Sequence, residues 1–380
     1  MPPIKRRRFL QFVGASALTT LALSQFDIQQ QESLDSVLAQ STPRKLALLI
    51  GINHYADRSR FAALKGCITD VELQQQLLIY RFGFNPQDIF TLTNEQATRQ
   101  GILEAFEKHL IEQAQPGDVV VFHFSGYGSQ MADPSCKFLD RLQSTLVPAD
   151  SSLQPHRSVP DITGQTLWLL LTALKTANVT VVIDTHPSSV ISNNTWLSSP
   201  PTPVEKSRTD TASQLNASEQ AYQQQWLKRL GLSPSEFIAQ WKTGLPKGML
   251  IESCQRGQRV AEVGFGDFFA GTFTYTLTQY LWQQTENEPT KNAIATIVRD
   301  VTRLSATTQT PQFAVQPNSG NENRPLYFLQ RQSPPAEAAI TRIEGKRVTL
   351  WLGGIEPESL MAFTQGAILT LIDSAGNEQG

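Results

Sequence analysis

The sequence predicts an α/β domain over residues 44–330, a mainly parallel central sheet between two helix layers, followed by the start of a small β-rich domain over 331–380. Three observations predict it. Apolar runs such as Leu46-Ala47-Leu48-Leu49-Ile50, Val119-Val120-Val121-Phe122 and Val179-Thr180-Val181-Val182-Ile183 are short and nearly continuous, as in parallel strands buried on both faces. Segments with helical spacing lie between them, and strand alternating with helix implies right-handed crossovers. After Arg331 the pattern changes: Pro334-Pro335 precedes two short β-rich runs around Glu344-Gly345-Lys346, a hairpin signal.

In order, a strand is expected at 45–52, then a helix over 67–78 from the spacing of Cys67, Val71, Leu73, Leu77 and Leu78. A strand at 88–92 and an amphipathic helix at 97–113 follow, the latter with Ile102, Phe106, Leu110 and Ile111 on one side. The strand at 118–124 runs into a Ser125-Gly126-Tyr127-Gly128 turn, and a Leu-rich helix at 162–177 takes Asp161 as its N-cap. The strand at 179–183 ends in Asp184. Residues 189–247 read as a surface insertion, rich in Ser, Thr, Pro and Gln to about Ala217 and helical over 218–243, with Trp226 and Trp241. A strand at 249–251, a helix at 273–283 and a strand at 325–329 complete the domain. A hairpin of 339–343 with 347–352 and a strand at 367–372 follow, and the unpartnered last strand predicts that a β domain continues beyond Gly380, a frayed tail being the alternative. Ligands of such sheets bind beyond the carboxyl ends of the strands, where Tyr127 and the loop after Asp184 lie.

The N-terminus reads as an address. Lys5-Arg6-Arg7-Arg8-Phe9-Leu10 precedes a short apolar stretch, Phe12 to Leu23, too short to span a bilayer. Arg6-Arg7 followed by Phe9-Leu10 resembles a twin-arginine export signal, over residues 1–24, with a polar linker over 25–43. Export to a periplasm or thylakoid lumen, with no stable membrane insertion after cleavage, is the expectation, and an uncleaved basic anchor at the cytoplasmic face is the alternative. Without the leader's four basic residues, 28 of the 32 Lys and Arg remain against 34 acids, a net charge of −6. No Lys/Arg cluster suits phosphate binding, so nucleic acid is not an expected partner. Cys67, Cys136 and Cys254 make neither a disulfide framework nor a zinc cluster.

Several motifs, in order, carry a family resemblance. They are Leu49-Ile50-Gly51-Ile52-Asn53-His54-Tyr55, Leu64-Lys65-Gly66-Cys67-Ile68-Thr69-Asp70, His123-Phe124-Ser125-Gly126-Tyr127-Gly128, Leu146-Val147-Pro148-Ala149-Asp150, Gly271-Thr272-Phe273-Thr274 and Gln309-Thr310-Pro311. Together they resemble the caspase-like cysteine peptidases of the metacaspase and orthocaspase branch, peptidase C14. The resemblance implies a caspase-like three-layer αβα sandwich and a Cys–His dyad. The dyad positions are replaced. Tyr127 stands where the family has the histidine, as in cyanobacterial variants with Tyr and Ser in place of the dyad. At the cysteine, an ungapped reading places His186, and a slip of two residues places Ser188. A phenol with a pKa near 10 is a poor base at neutral pH, and Pro187 disturbs the turn that would help form an oxyanion hole.

The resemblance also implies a pocket for a basic side chain, lined by Asp70, Asp184 and Ser125, where two carboxylates would suit a guanidinium. Lys206 and Arg208 fall in the region that carries the family's self-cleavage loop. No cofactor and no metal are expected, calcium included, because 131–145 holds only Asp133 and Asp140 as acids beside Lys137 and Arg141. Cys67 is read as helix packing, Cys254 as core or groove wall, Cys136 as a loop thiol, His123 as a satisfied core histidine, and His54, His109 and His156 as loop or surface residues. Three functions stay open: a pseudoprotease that binds a peptide or protein partner through a basic residue, an active cysteine- or serine-type endopeptidase cleaving after Arg or Lys, and a scaffold.

Overall fold

A computed structural model describes residues 43–132, 142–152, 160–186, 217–255, 258–265, 268–305, 308–330, 337–345 and 347–356, together with Gln11–Gly14 and a few isolated positions near the C-terminus. Cys136, His156, Pro187, Ser188, Lys206 and Arg208 lie outside the described residues, as do the acids of 133–141 and half of the expected strand at 367–372.

The central sheet has the order β11-β8-β7-β4-β2-β3. Its strands are β2 (Lys45–Gly51), β3 (Ile89–Thr93), β4 (Val119–Ala132), β7 (Asn178–His186), β8 (Met249–Glu252) and β11 (Gln312–Val315). All neighbouring pairs are parallel except β11 with β8. Two apolar cores result, one on each face, as the continuous apolar runs require. One face is covered by α1 (Cys67–Phe82), α6 (Thr272–Gln283) and α7 (Thr290–Ser305). The other is covered by α2 (Arg99–Ala105) with the π-helical turn Phe106–Ile111, α3 (Gly164–Ala173), α4 (Ala217–Leu230) and α5 (Pro234–Trp241).

Several elements differ from expectation, each for a local reason. β4 does not turn at Ser125 but runs on to Ala132, because Gly128 to Ala132 leave the main sheet to pair with β5 (Leu142–Leu146). Ile162 and Thr163 form the short strand β6, so Thr163, not Asp161, caps α3 by accepting from the Thr166 amide. Asp161 instead accepts from Thr145 Oγ1 at 2.7 Å and Ser151 Oγ at 2.9 Å. Leu326–Phe328 is a 3-10 turn rather than a strand. Tyr327 there has φ 59°, and its buried hydroxyl donates to Gln74 Oε1 at 2.7 Å. His109 is buried rather than on the surface, with Nε2 3.1 Å from the Ala47 carbonyl oxygen and 3.0 Å from that of Asp88.

Within the span read as an insertion, α4 and α5 belong to the core: Trp226, Phe237 and Trp241 are buried in it. Glu219 of α4 is 1% exposed, pairs with Arg99, and accepts from Thr163 Oγ1 and Thr166 Oγ1. Gly231 at φ 67° ends α4, and Ser233 with Glu236 forms a capping box that starts α5.

Toward the C-terminus, β12 (Ala339–Glu344) and β13 (Arg347–Trp351) form the expected hairpin, with Gly345 at φ 58°. β1 (Gln11–Gly14), within the leader segment, pairs antiparallel with β13. The stretch after β13 docks on α6. Tyr275 Oη donates to the Ile355 carbonyl at 3.1 Å, Gln283 Nε2 to that of Gly354 at 2.6 Å, and Trp351 is buried in the α6 face.

Candidate functional site

The parallel register delivers the site. Asp184 at the end of β7 is the cross-strand partner of Ser125 on β4, and His186 that of Tyr127. Tyr127 and His186, the two positions read from the resemblance as those of the dyad, are therefore backbone neighbours at the carboxyl ends of adjacent central strands. Ser188, the alternative at the nucleophile position, lies outside the described residues, and of His186 only the strand backbone is described.

Tyr127 is half-buried and held on several sides. Its amide donates to Tyr55 Oη at 2.7 Å and its own hydroxyl donates to the Ala62 carbonyl at 3.2 Å. Its ring lies 5.2 Å from that of Tyr55 and 5.3 Å from that of Phe61, and those two rings are 4.9 Å apart. Gly126 is required by this packing, since a Cβ there would sit 2.6 Å from Tyr55 Oη. Burial, and then the negative charge of Glu262, push the Tyr127 phenol above its ordinary value. It stays protonated at neutral pH and acts as a donor, not a base.

Asp70, Ser125 and Asp184 do come together. Asp70 rises from the first turns of α1 and is 1% exposed. Its Oδ2 accepts from Ser125 Oγ at 2.7 Å and its Oδ1 from the Gly271 amide at 2.9 Å. Asp184, 4% exposed, accepts through Oδ2 from the Thr274 hydroxyl at 2.7 Å and amide at 3.2 Å. Gly271 is the N-cap residue of α6, so both acids sit at that helix's N-terminus, where backbone N–H groups favour negative charge. Among the described residues Asp184 Oδ1 is buried with no partner at hydrogen-bond distance; the Ser253 hydroxyl lies beside the carboxyl and lowers its pKa somewhat, while making a long 3.4 Å contact to the Thr185 carbonyl.

The carboxylates converge. A methyl group at Gly271 would collide with Asp184 Oδ2 and stand 2.8 Å from Asp70 Oδ2. Among the described residues no Lys or Arg is paired with either acid. Burial, and next the charge of Asp184, hold the Asp70 carboxyl well above the usual range, while burial pushes Asp184 up to about 6. Two acids that resist ionisation, buried at the end of a parallel sheet, can receive a cation far better than an anion.

Neighbouring segments fix this arrangement. Glu262, on β9 (Glu262–Phe265) of a hairpin with β10 (Phe268–Gly271), accepts from the Gly66 amide at 2.6 Å and caps the start of α1. Asn53 Oδ1 accepts from the Cys67 amide at 2.9 Å. Gln309 Nε2 donates to the Ser253 carbonyl at 3.0 Å while its Oε1 accepts from the Ala261 amide at 3.1 Å. The motif residues Asn53, Gly271, Thr274 and Gln309 are legible in sequence as members of a pattern. Glu262 has no sequence signal, since its partners are nearly two hundred positions away.

No described thiol is placed to act. Cys67 is buried, and burial followed by the Asp70 charge raises it well above its ordinary value. Cys254 is buried too, with Sγ 3.7 Å from the Gln258 carbonyl oxygen. His123 is a core residue but not a satisfied one: it is fully buried and, among the described residues, neither ring nitrogen has a partner. Among the described residues, no three His, Cys, Asp or Glu side chains are grouped as a metal ion would need. None of their helices is long and apolar enough to cross a membrane.

Comparison with known proteins shows what the chain is similar to. Residues 45–193 match the family model described as metacaspase, peptidase C14 domain. Metacaspase-1 of Yarrowia lipolytica is 40% identical over 113 residues, which cover 28% of this chain and 24% of the relative. Metacaspase-1 of Schizosaccharomyces pombe is 39% identical over 113 residues, covering 28% and 26%. The chain thus spans about a quarter of the length of the curated relatives it matches. Among solved structures, a Geobacter sulfurreducens protein aligns over 76% of this chain and 99% of its own, at 21% identity and a TM-score of 0.47. Caspase-1 from Spodoptera frugiperda aligns over 72% and 87%, at 13% identity and a TM-score of 0.41. The matched residues include both strand ends that carry Tyr127 and Asp184, and over 45–193 the chain is similar to the metacaspase peptidase C14 domain.

Proposed function

We propose that this protein is a caspase-like pseudoprotease, which seats a basic side chain of a peptide or protein partner between Asp70 and Asp184 and does not cut the chain that carries it. The observation that carries the reading is the buried carboxylate pair, where among the described residues Asp184 Oδ1 has no partner at hydrogen-bond distance and no cation lies against either acid. A guanidinium supplies the missing charge and two parallel N–H donors. The absence of cleavage is supported by Tyr127, a donor locked by its own hydrogen bonds where the family's base would stand. We further propose that the leader directs export by the twin-arginine route.

The test is a fluorogenic peptide with Arg at the cleaved position, incubated with purified protein with and without calcium, beside a binding measurement with the same peptide. Binding without turnover is the expected result. It should weaken at least tenfold in Asp70→Asn/Asp184→Asn, because a charge-assisted pair in a buried site contributes more than a neutral hydrogen bond. Turnover lost in Ser188→Ala would overturn the pseudoprotease reading in favour of a serine-type endopeptidase. Binding untouched by the double substitution would overturn the pocket in favour of a scaffold.

A further inference from the structure

The inference rests on the reading of Asp70 and Asp184 as a cation site. We propose that a basic side chain entering the site expels a proton from the carboxyl pair into solvent, so that occupancy is coupled to pH.

The geometry leads there. An oxygen of each acid lies within 2.8 Å of one point, the place a Cβ on Gly271 would take. Both side chains are almost wholly buried, and two like charges so placed cannot both be ionised without cost. The donors around them are neutral: Ser125 Oγ and the Gly271 amide on Asp70, and on Asp184 the Thr274 amide and hydroxyl with the Ser253 hydroxyl beside them. The titratable groups facing the pair from each packed element bring no positive charge. Glu262 of the β9–β10 hairpin adds a negative one, Cys67 of α1 is a buried thiol, and His123, two residues before Ser125 on β4, is buried and held neutral. The empty site therefore keeps a proton that solvent-exposed carboxylates would have lost at neutral pH, in keeping with the raised values of both acids.

The exchange balances. One carboxyl O–H breaks and its proton goes to buffer, while the cation donates N–H groups to the two carboxylates. The filled site carries the same net charge as the empty, singly protonated one. No comparable release is expected for a cation caught by exposed surface acids, which are already ionised.

Calorimetric titration of the full chain with agmatine, a small guanidinium, tests this at pH 7.0 in phosphate and in Tris, whose ionisation heats differ. The expected result is a heat difference corresponding to about one proton released per cation, with affinity rising toward tenfold per pH unit between pH 6 and 8. Ser125→Ala, which removes a donor to ionised Asp70, should move that pH profile upward, a shift that a merely structural role would not give. Binding with equal heats in both buffers overturns the proton coupling and leaves the cation site standing. No binding between pH 6 and 9 overturns the cation site itself, and this inference with it.

Discussion

Asp184→Asn is expected to make the unliganded protein more stable at pH 7.5, by about 2 kcal/mol. The sign follows from the raised carboxyl. Unfolded, Asp184 titrates near its ordinary value; folded, it titrates at about 6. The folded chain binds the proton more tightly, so this contribution to stability is fully present below the ordinary value and is lost as pH rises through 6. Above that, the buried charge costs on the order of 3 kcal/mol at 1.36 kcal/mol per unit. Asparagine removes the charge and keeps an oxygen for the Thr274 amide and hydroxyl. Its NH2 group replaces a carboxyl oxygen in a site that offers it no described acceptor, at a cost of about 1 kcal/mol, which brings the net gain to about 2 kcal/mol. Urea unfolding of both proteins at pH 7.5 and pH 4.5 checks it. The gain should shrink at the lower pH, where the native carboxyl is protonated. Equal or lower stability of the variant at pH 7.5 would show that Asp184 is compensated by a partner outside the described residues.

Such a result would expose a conflict between stability and binding. α6 is held by charge at both ends: Asp70 and Asp184 meet its N-terminus, and Arg81 donates to the Leu281 and Gln284 carbonyls at its C-terminus. One cap would satisfy the helix start. The second acid brings a repulsion that helix capping alone does not call for, and a cation would turn that cost into affinity. The same helix carries the Trp351–Ile355 stretch through Tyr275 and Gln283, so the C-terminal hairpin is anchored to the element whose first turn the two acids hold.

The parts of this arrangement legible in sequence are those written locally. β2, β4 and β7 announce themselves as apolar runs because both of their faces are buried. Asp184 stands out as the polar residue that breaks one of them. Tyr127 and His186 can be suspected from their motifs, and parallel register then makes them neighbours. What sequence does not show depends on distant pairings. Glu262 reaches the start of α1 only after the β9–β10 hairpin folds back. Thr274 becomes a ligand of Asp184 only because α6 begins beside β7. α7 is by contrast written locally, with Ala293, Ile294, Ile297 and Val301 recurring at helical spacing among polar residues. Leu326–Phe328 imitates a strand in composition and is a turn because Tyr327 is drawn inward to Gln74. α4 and α5 look like an insertion because a polar stretch precedes them, yet their aromatic residues close one core.

His123→Leu should also stabilise the protein, and by an amount that grows as pH falls. His123 faces the α1 side of the sheet between Leu49 and Val182 on the neighbouring strands. It is fully buried with both ring nitrogens unpartnered. Burial lowers its pKa to about 3. Unfolded, the imidazole takes up a proton below about 6.5 that the folded chain refuses until far lower pH. Stability from this residue is therefore intact above about 6.5 and lost as pH falls toward 3, opposite in sign to Asp184. At pH 7.5 the cost is that of a buried polar ring without partners, about 1–3 kcal/mol, and leucine replaces it with apolar surface of similar volume. At pH 5 the proton adds about 2 kcal/mol to the difference at 1.36 kcal/mol per unit. Unfolding of both proteins at the two pH values gives the readout, with Asp184 common to both and cancelling. A leucine variant less stable at pH 7.5, or a gain no larger at pH 5, would mean that the imidazole meets a partner within the fold, and His123 would then join the site rather than the core.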